Sequence, residues 1–321
     1  MLRTFHLYQL QMRPKIITKY LAAGMISFWL AASCLLSATL QAKTRSETWP
    51  ETWPETWITQ FLKNNQASIV TVLPQTGRAE KNLAEPEGTG VIVQPGNLVL
   101  TANHVLGAAN RILLRKTDGS VIEAKIFLRD QSTDLALLEI NETIKAIEFE
   151  EGAQIGENVC AYGNAFGLGM SLSCGIVSAT DKRGIGFNRV EDFVQTDAAI
   201  NPGMSGAPLF KENGKLAGLV TAIFTKKSDG NLGVNFASST RLIKAFLEDA
   251  KDGVLKPVRA GMIMRPAPFK GETGRAGGLV MRVMDNSAEK IAGIQQGDLV
   301  IKAGDLDVRS QADYLAAIAL S

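Results

Sequence analysis

The segment Leu100-Thr-Ala-Asn-His-Val-Leu-Gly-Ala-Ala109 contains a histidine, His104, at the end of an apolar run. The chain of 321 residues has two histidines, and the other lies near the amino terminus, before the first predicted domain. His104 is therefore the one imidazole available for acid–base or nucleophilic chemistry. A zinc site built from several histidines is excluded, and we expect no metal and no organic cofactor.

The candidate nucleophile is Ser205, in Gly203-Met-Ser-Gly-Ala207, and no histidine follows it. An α/β-hydrolase needs its histidine after its serine, so that architecture is excluded. A subtilisin-like triad needs an aspartate before its histidine, whereas the first aspartate of this chain is Asp118. The remaining order of histidine, aspartate and serine is that of the chymotrypsin-like double β-barrel.

Asp134 is the candidate acid among the six aspartates between His104 and Ser205. It directly precedes the apolar run 135–140, where a desolvated carboxylate needs a partner and an imidazole supplies one. In such a triad the histidine takes the proton of the serine, and the acid fixes the histidine tautomer. The backbone amides of Gly203 and Ser205 are the candidate oxyanion hole.

Short runs of β-forming residues fill the region around these side chains. Six runs lie within residues 65–150, with a hairpin signal at Lys116-Thr-Asp-Gly-Ser120, and a second series lies within residues 151–237. Residues 238–250 have the pattern of a capped amphipathic helix that closes the domain. We therefore predict a mainly β fold, with a trypsin-like serine protease domain over residues 65–253 built as two β-barrels.

Residues 1–42 have the pattern of an export segment. Arg13, Lys15 and Lys19 precede an uncharged stretch that ends in small residues at Ala42. We prefer cleavage after Ala42 as a signal peptide, but the stretch is also long enough to remain as an inner-membrane anchor. Both alternatives place the protein in the periplasm or cell envelope.

Residues 43–64 combine a repeat with the start of a helix. The unit Glu-Thr-Trp-Pro recurs almost three times over residues 47–57, and a short helix is predicted after it. The repeat is either an aromatic contact surface for a neighbouring subunit or a linker expanded by duplication. The charge is nearly balanced, with 34 basic and 32 acidic residues and no basic stripe, so nucleic acid is not an expected partner.

Two cysteines, Cys160 and Cys174, lie symmetrically about Gly167 in a segment that has the pattern of a hairpin. Cross-strand neighbours on one face reach each other, and an exported protein permits a disulfide. The alternative is a pair of small buried residues that never bond.

Several motifs resemble the HtrA family of exported serine proteases: Gly88-Thr-Gly-Val-Ile-Val93, Ser132-Thr-Asp-Leu-Ala-Leu137, Tyr162-Gly-Asn-Ala-Phe-Gly-Leu-Gly169 and Gln195-Thr-Asp-Ala-Ala-Ile-Asn201. The resemblance implies a catalytic triad of His104, Asp134 and Ser205. It also implies endoproteolysis of unfolded or misassembled envelope proteins and assembly into homotrimers.

The resemblance extends to the specificity pocket, whose walls are expected at Ile200, Thr221, Ala222 and Ile223. No acidic residue stands at the trypsin-like position, where Ala199 falls. We therefore expect cleavage after small or aliphatic side chains.

Residues 258–321 resemble the PDZ domain of the same family. Its carboxylate-binding loop is matched by Arg259, Ala260, Gly261, Met262 and Ile263, which implies binding of peptide C-termini. The final strands of the family domain have no counterpart in this sequence, so we expect an incomplete domain.

Two residues of the nucleophile loop depart from the family pattern Gly-Asn-Ser-Gly-Gly. Met204 replaces a polar residue and Ala207 replaces a glycine. These departures keep an alternative open, in which the protein is a weakly active or inactive protease-like protein that binds peptides or acts as a chaperone.

Overall fold

The structure is a computed structural model that describes residues 55–75, 88–223, 233–267 and 276–321. It contains two closed antiparallel barrels of six strands each, which confirms the predicted fold class. The predictions for residues 1–42, and those for the tryptophan repeat up to residue 54, lie outside the described residues. No helix in the described ranges is long and apolar enough to cross a membrane.

The first barrel closes in the order β1-β2-β3-β6-β5-β4. Its strands are β1 (Ile69–Gln75), β2 (Gly88–Val93), β3 (Leu98–Ala102), β4 (Arg111–Arg115), β5 (Val121–Asp130) and β6 (Leu135–Glu139). Every residue of β2 is buried. Ile92 packs inside the barrel, while Val91 and Val93 pack in a cluster shared with Phe210 of the second barrel. Burial on both faces explains why the second half of this strand, Val91-Ile-Val93, is apolar throughout and does not alternate with polar residues.

The second barrel closes in the order β10-β11-β12-β9-β8-β7. Its strands are β7 (Asn158–Gly163), β8 (Ser171–Lys182), β9 (Phe193–Thr196), β10 (Pro208–Lys211), β11 (Leu216–Ile223) and β12 (Asn235–Ser239). Cys160 of β7 lies opposite Cys174 of β8, and the structure joins their sulfur atoms in a disulfide. The loop that carries Ser205 connects β9 to β10.

Among the described residues, three α-helices accompany the barrels, namely α1 (Trp57–Asn65), α2 (Asn103–Leu106) and α3 (Thr240–Ala250), together with two short 3-10 helices at Gln66–Ser68 and Ala165–Gly167. Phe61 of α1 stacks on Phe210, with ring centroids 3.4 Å apart. Ser239 caps α3 by accepting a hydrogen bond from the Leu242 amide. The buried face of α3, which includes Phe246, joins the cluster between the barrels, so this helix closes the domain.

The C-terminal unit is small. It contains β13 (Met262–Ala267), β14 (Gly277–Val283), β15 (Leu299–Val300), α4 (Ala288–Ile291), β16 (Lys302–Ala303), β17 (Leu306–Asp307) and α5 (Gln311–Ala319). Strand β13 lies at one edge of the sheet β13-β14-β15. The buried core of the C-terminal unit consists of Met262, Met264, Val280 and Val308.

Candidate active site

The imidazole and its acid come from neighbouring strands of the first barrel. His104 lies on α2, directly after β3, and Asp134 lies directly before β6, which pairs with β3. His104 Nδ1 is 2.6 Å from Asp134 Oδ2, and the His104 backbone amide donates to Asp134 Oδ1 at 2.8 Å. The carboxylate therefore holds both the ring and the backbone of the histidine.

The candidate nucleophile comes from the second barrel. Ser205 Oγ lies 3.0 Å from His104 Nε2, on the side of the ring opposite the carboxylate. The His104 side chain is 51% exposed, whereas that of Asp134 is 11% exposed. The hydroxyl and the imidazole thus face solvent while the acid is shielded, which is the arrangement that a hydroxyl nucleophile activated by a histidine needs.

Thr221 of β11 is a site residue whose contact the sequence did not predict. Its hydroxyl donates to Asp134 Oδ2 at 2.8 Å, and the residue is 5% exposed. The sequence signal was a single hydroxyl in an otherwise apolar strand. The Thr221 side chain, which we assigned to the specificity pocket, therefore bonds to the carboxylate of the candidate acid, and its role in a pocket stays a prediction.

The structure gives no support for a pocket role of the other predicted pocket residues. Ile200 is 2% exposed and packs in the core cluster of the second barrel, together with Met204. The side chains of Ala222 and Ile223 lie outside the described residues, although their backbone completes β11. The preference for small or aliphatic residues accordingly stays a prediction.

The nucleophile loop depends on two glycines. Gly203 and Gly206 have φ values of 92° and 85°, in the left-handed region that favours glycine. A Cβ atom would lie 2.1 Å from Asn164 O at the first position and 2.0 Å from Thr89 O at the second. No other residue type fits either position without a shift of the backbone.

The two departures from the family pattern fit this loop without backbone strain. Neither Met204 nor Ala207 is among the described residues with positive φ. Met204 is 1% exposed and Ala207 is fully buried, and both pack in the core of the second barrel. The substitutions therefore extend the core beneath Ser205 and leave the hydroxyl in place.

Thr89 of β2 connects the first barrel to the nucleophile loop. Its amide donates to Ser205 O at 2.9 Å, and its hydroxyl donates to Gly203 O at the same distance. On the other side of the loop, Phe166 N donates to Pro202 O at 2.6 Å. Because the N–H and C=O of a trans peptide point in opposite directions, the Gly203 N–H points away from the Phe166 amide.

The two candidate oxyanion donors have no acceptor within the described part of the protein. Neither Gly203 N–H nor Ser205 N–H donates to a protein atom there. Fixed amides of this kind are able to stabilise negative charge that develops on a carbonyl oxygen. The loop therefore has two backbone N–H groups close to Ser205 that are available to bind a substrate oxygen.

The predicted carboxylate-binding loop of the C-terminal unit is different, since one of its amides is already bonded. Gly261 N–H donates to Glu289 Oε1 at 2.8 Å, and the Tyr314 hydroxyl donates to the same oxygen at 2.7 Å. Arg259 and Ala260 line a cavity of about 830 Å³ beside this contact, and Met262 and Ile263 begin β13.

The ionisable groups of this contact influence each other. Burial alone would raise the pKa of Glu289, but hydrogen bonds from Tyr314 and from backbone amides outweigh it and hold that pKa below its usual value. Burial and the Glu289 carboxylate together raise the pKa of Tyr314. Glu289 is therefore a carboxylate at neutral pH, and Tyr314 keeps its proton.

The two barrels and the Ser205–His104–Asp134 geometry define a trypsin-like serine peptidase domain, and a family model of that description matches residues 88–219. The solved HtrA-type protease AlgW with tripeptide is similar, with a TM-score of 0.67 and 29% identity; the match covers 82% of this chain and 87% of AlgW. These matches support assignment of the chain to the HtrA-type serine proteases.

Curated relatives agree with this assignment. A probable periplasmic serine endoprotease, DegP-like, from Rickettsia prowazekii (strain Madrid E) is 37% identical over 239 residues, which cover 70% of this chain and 46% of the relative. The periplasmic pH-dependent serine endoprotease DegQ of Escherichia coli (strain K12) is 31% identical over 245 residues, which cover 72% and 53%. The chain thus spans about half the length of the curated relatives that it matches.

Proposed function

We propose that this protein is an exported serine endopeptidase that cleaves polypeptides with the triad His104, Asp134 and Ser205. The observation that carries the proposal is the continuous line of contacts from Ser205 Oγ to the imidazole and on to a shielded carboxylate. The free amides of Gly203 and Ser205 add the charge stabilisation that acyl transfer requires.

The geometry suggests a definite sequence of proton transfers. Ser205 Oγ attacks the carbonyl carbon of the scissile bond while His104 Nε2 takes its proton, and the carbonyl oxygen becomes an oxyanion beside the two amides. The C–N bond then breaks as the imidazolium gives that proton to the leaving amine. Water attacks the resulting ester in the same way and releases the acid and the free serine.

Asp134 has two functions in this scheme. It keeps the proton of the neutral imidazole on Nδ1, so that Nε2 faces the serine as an acceptor, and it stabilises the imidazolium that forms. The hydroxyl of Thr221 occupies a further lone pair of the same carboxylate oxygen. This second donor restricts rotation of the carboxylate about its Cβ–Cγ bond.

The proposed substrates are unfolded or misassembled proteins of the cell envelope. Similarity to proteins named periplasmic serine endoproteases supports the periplasm as the compartment. The Cys160–Cys174 bond fits the same compartment, because disulfides persist in oxidising environments. Assembly into homotrimers and retention by an inner-membrane anchor belong to the proposal as further expectations.

The C-terminal unit is proposed to be a PDZ domain that binds peptide C-termini. The position of β13 at the edge of its sheet, where no further strand pairs with it among the described residues, supports this, because such domains bind a peptide as an added strand. Two groups of that edge are already bonded within the protein: Met264 N–H donates to the Gln311 side chain at 2.8 Å, and Gly261 N–H donates to Glu289. A peptide must displace these side chains to bind there.

The test is degradation of an unfolded protein by the full chain. Reduced, alkylated casein is expected to be cleaved by the wild type and to remain intact with Ser205→Ala, while folded lysozyme remains intact with both. Binding of the unfolded protein without cleavage by the wild type would favour the peptide-binding or chaperone alternative. Sequencing of the new termini tests the pocket, since cleavage mainly after Lys or Arg contradicts the expected small or aliphatic preference.

A further inference from the structure

We propose that Asn188 is a positioning residue for the catalytic carboxylate. Asn188 lies in the loop between β8 and β9, and together with Val190 it holds the turn that directs Asp134 towards His104. This inference rests on the proposed triad. It gives a role in that triad to a loop of the second barrel that bonds to the turn before Asp134.

Asp134 needs external support because its backbone is strained. Its φ of 60° lies in the left-handed region, which costs a residue with a Cβ atom about 1 kcal/mol or more. The preceding turn is closed by Asp130, whose Oδ1 accepts from the Ser132 amide at 2.8 Å and whose Oδ2 accepts from the Thr133 hydroxyl at 2.7 Å. These bonds shape the turn but do not fix it relative to the second barrel.

The loop of the second barrel supplies that connection. Val190 N–H donates to Ser132 O at 2.9 Å, and Asn188 Nδ2 donates to Thr133 O at 3.2 Å. The Thr133 carbonyl belongs to the peptide unit whose nitrogen is that of Asp134. Asn188 therefore fixes the orientation of the peptide plane between Thr133 and Asp134. A tilt of this plane would move the Asp134 carboxylate relative to the imidazole of His104.

The loop is itself held by internal hydrogen bonds, which a positioning role requires. The Glu191 carboxylate is almost fully buried and accepts hydrogen bonds from four consecutive backbone amides, those of Ile185, Gly186, Phe187 and Asn188. A buried charge is retained only when it is satisfied in this way. Because the Asn188 amide is one of the four donors, the residue that contacts Thr133 is held by its own backbone.

The base of the loop is fixed by a second ionic cluster. Asp192 is fully buried and bonds to the guanidinium groups of Arg183 and Arg241. Arg241 belongs to α3, so the loop is joined to the closing helix as well as to the acid turn. Displacement of Asn188 is therefore costly, and its contact with Thr133 O has a defined position.

The test compares Asn188→Ala with the matched control Asn213→Ala in the full chain. Asn213 is likewise a loop asparagine whose Nδ2 donates to a protein acceptor, the Glu150 carboxylate, but its loop joins β10 to β11. Cleavage of an internally quenched peptide by Asn188→Ala is expected to show a kcat lowered about three- to tenfold, the effect of one lost hydrogen bond, with KM unchanged. The control is expected to match the wild type in both constants.

A readout that needs no turnover separates this inference from the proposed function. The proton between His104 Nδ1 and Asp134 gives a strongly deshielded NMR signal, which a His104→Ala variant assigns. We expect Asn188→Ala to move this signal upfield or broaden it by exchange, and Asn213→Ala to leave it unchanged. Absence of peptide cleavage by the wild type would count against the proposed function, while the NMR comparison still decides the role of Asn188.

A near-isosteric variant covers the case in which Asn188→Ala fails to fold. Asn188→Leu keeps the branched shape of the side chain and removes the donor, so it is expected to reproduce the loss of kcat and the change of the signal. The proposal is overturned if a folded Asn188→Ala or Asn188→Leu variant retains the wild-type kcat and the wild-type signal.

Discussion

The loop at Ser205 and the loop at Gly261 both present backbone amides, but they differ in what those amides hold. In the part of the chain that the structure describes, Gly203 N–H and Ser205 N–H donate to no protein atom, whereas Gly261 N–H is bonded to the buried Glu289. The first loop thus keeps its donors available next to an assembled nucleophile. The second satisfies a donor internally, at the place where a peptide carboxylate is expected to bind.

The two loops therefore differ in whether a backbone amide that faces a ligand site already has a partner within the protein. An amide that donates to no protein atom stays available to a ligand or to a reacting atom, and it stabilises negative charge that develops there. A donor paired with an internal carboxylate costs nothing, but an incoming ligand must first break that pair. We therefore expect the catalytic site to be ready without a ligand and the C-terminal unit to bind peptides weakly.

The largest expected effect comes from Ser205→Ala. Removal of the nucleophile is expected to lower kcat on the order of a million-fold, because the triad acts as a unit. Binding of a peptide by the C-terminal unit is expected to stay at the wild-type level. Peptide hydrolysis is measured in parallel with peptide binding, the latter by calorimetry. Equal losses in the two assays would contradict the expectation that the Ser205 loop and the C-terminal unit act independently.

Thr221→Val is expected to lower kcat about tenfold or more, because the Asp134 carboxylate loses a hydrogen bond in a shielded site. Thr221→Ser keeps a hydroxyl and is expected to recover most of the rate. Steady-state kinetics on one peptide substrate test the pair. A valine variant as active as the serine variant would show that the contact with Asp134 does not support the triad.

Glu289→Ala tests the role of the bonded amide in the C-terminal unit. Loss of the internal carboxylate frees Gly261 N–H, so the affinity for a peptide with a free C-terminus is expected to rise about tenfold, as one charge-assisted hydrogen bond allows. The same peptide with an amidated C-terminus is the control and is expected to gain little. Equal gains for both peptides would mean that Gly261 does not receive the carboxylate.

The smallest expected effect is a pH dependence of the contact at Glu289. The pKa of Glu289 is lowered in the folded protein, so the contact stabilises the C-terminal unit above the usual glutamate pKa. That stabilisation is lost as the pH falls below the usual glutamate pKa and through the lower pKa of the folded state. Hydrogen exchange of the Gly261 amide is expected to accelerate there in the wild type, relative to its intrinsic rate, and to show no such step in Glu289→Gln.

The sequence predicted those features that depend on local patterns and on chain order. The solitary His104 excluded two triad orders, and the apolar run after Asp134 singled out one aspartate from six. Alternating and continuous apolar runs predicted the two barrels, because strands buried on one or both faces have those patterns. The disulfide was left open, and the structure joins Cys160 to Cys174 across β7 and β8.

The contacts that the sequence did not predict join residues far apart in the chain. Thr221 and Asp134 are separated by 87 positions, and Asn188 and Thr133 by 55. Gly261 and Glu289 are separated by 28 positions and meet only because β14 returns the chain to the start of β13. Which side chain faces which partner is decided by the packing of barrels and turns, and no local pattern carries that information.

We propose that Ser205 is an activated nucleophile, and reaction with a fluorophosphonate probe measures this activation. The folded full chain is expected to become labelled at Ser205, and Ser205→Ala and His104→Ala are expected to remain unlabelled. Asn188→Ala is expected to label more slowly than the Asn213→Ala control. A folded wild-type protein that takes up no label, or a Ser205→Ala variant that is labelled as fast as the wild type, would contradict the account.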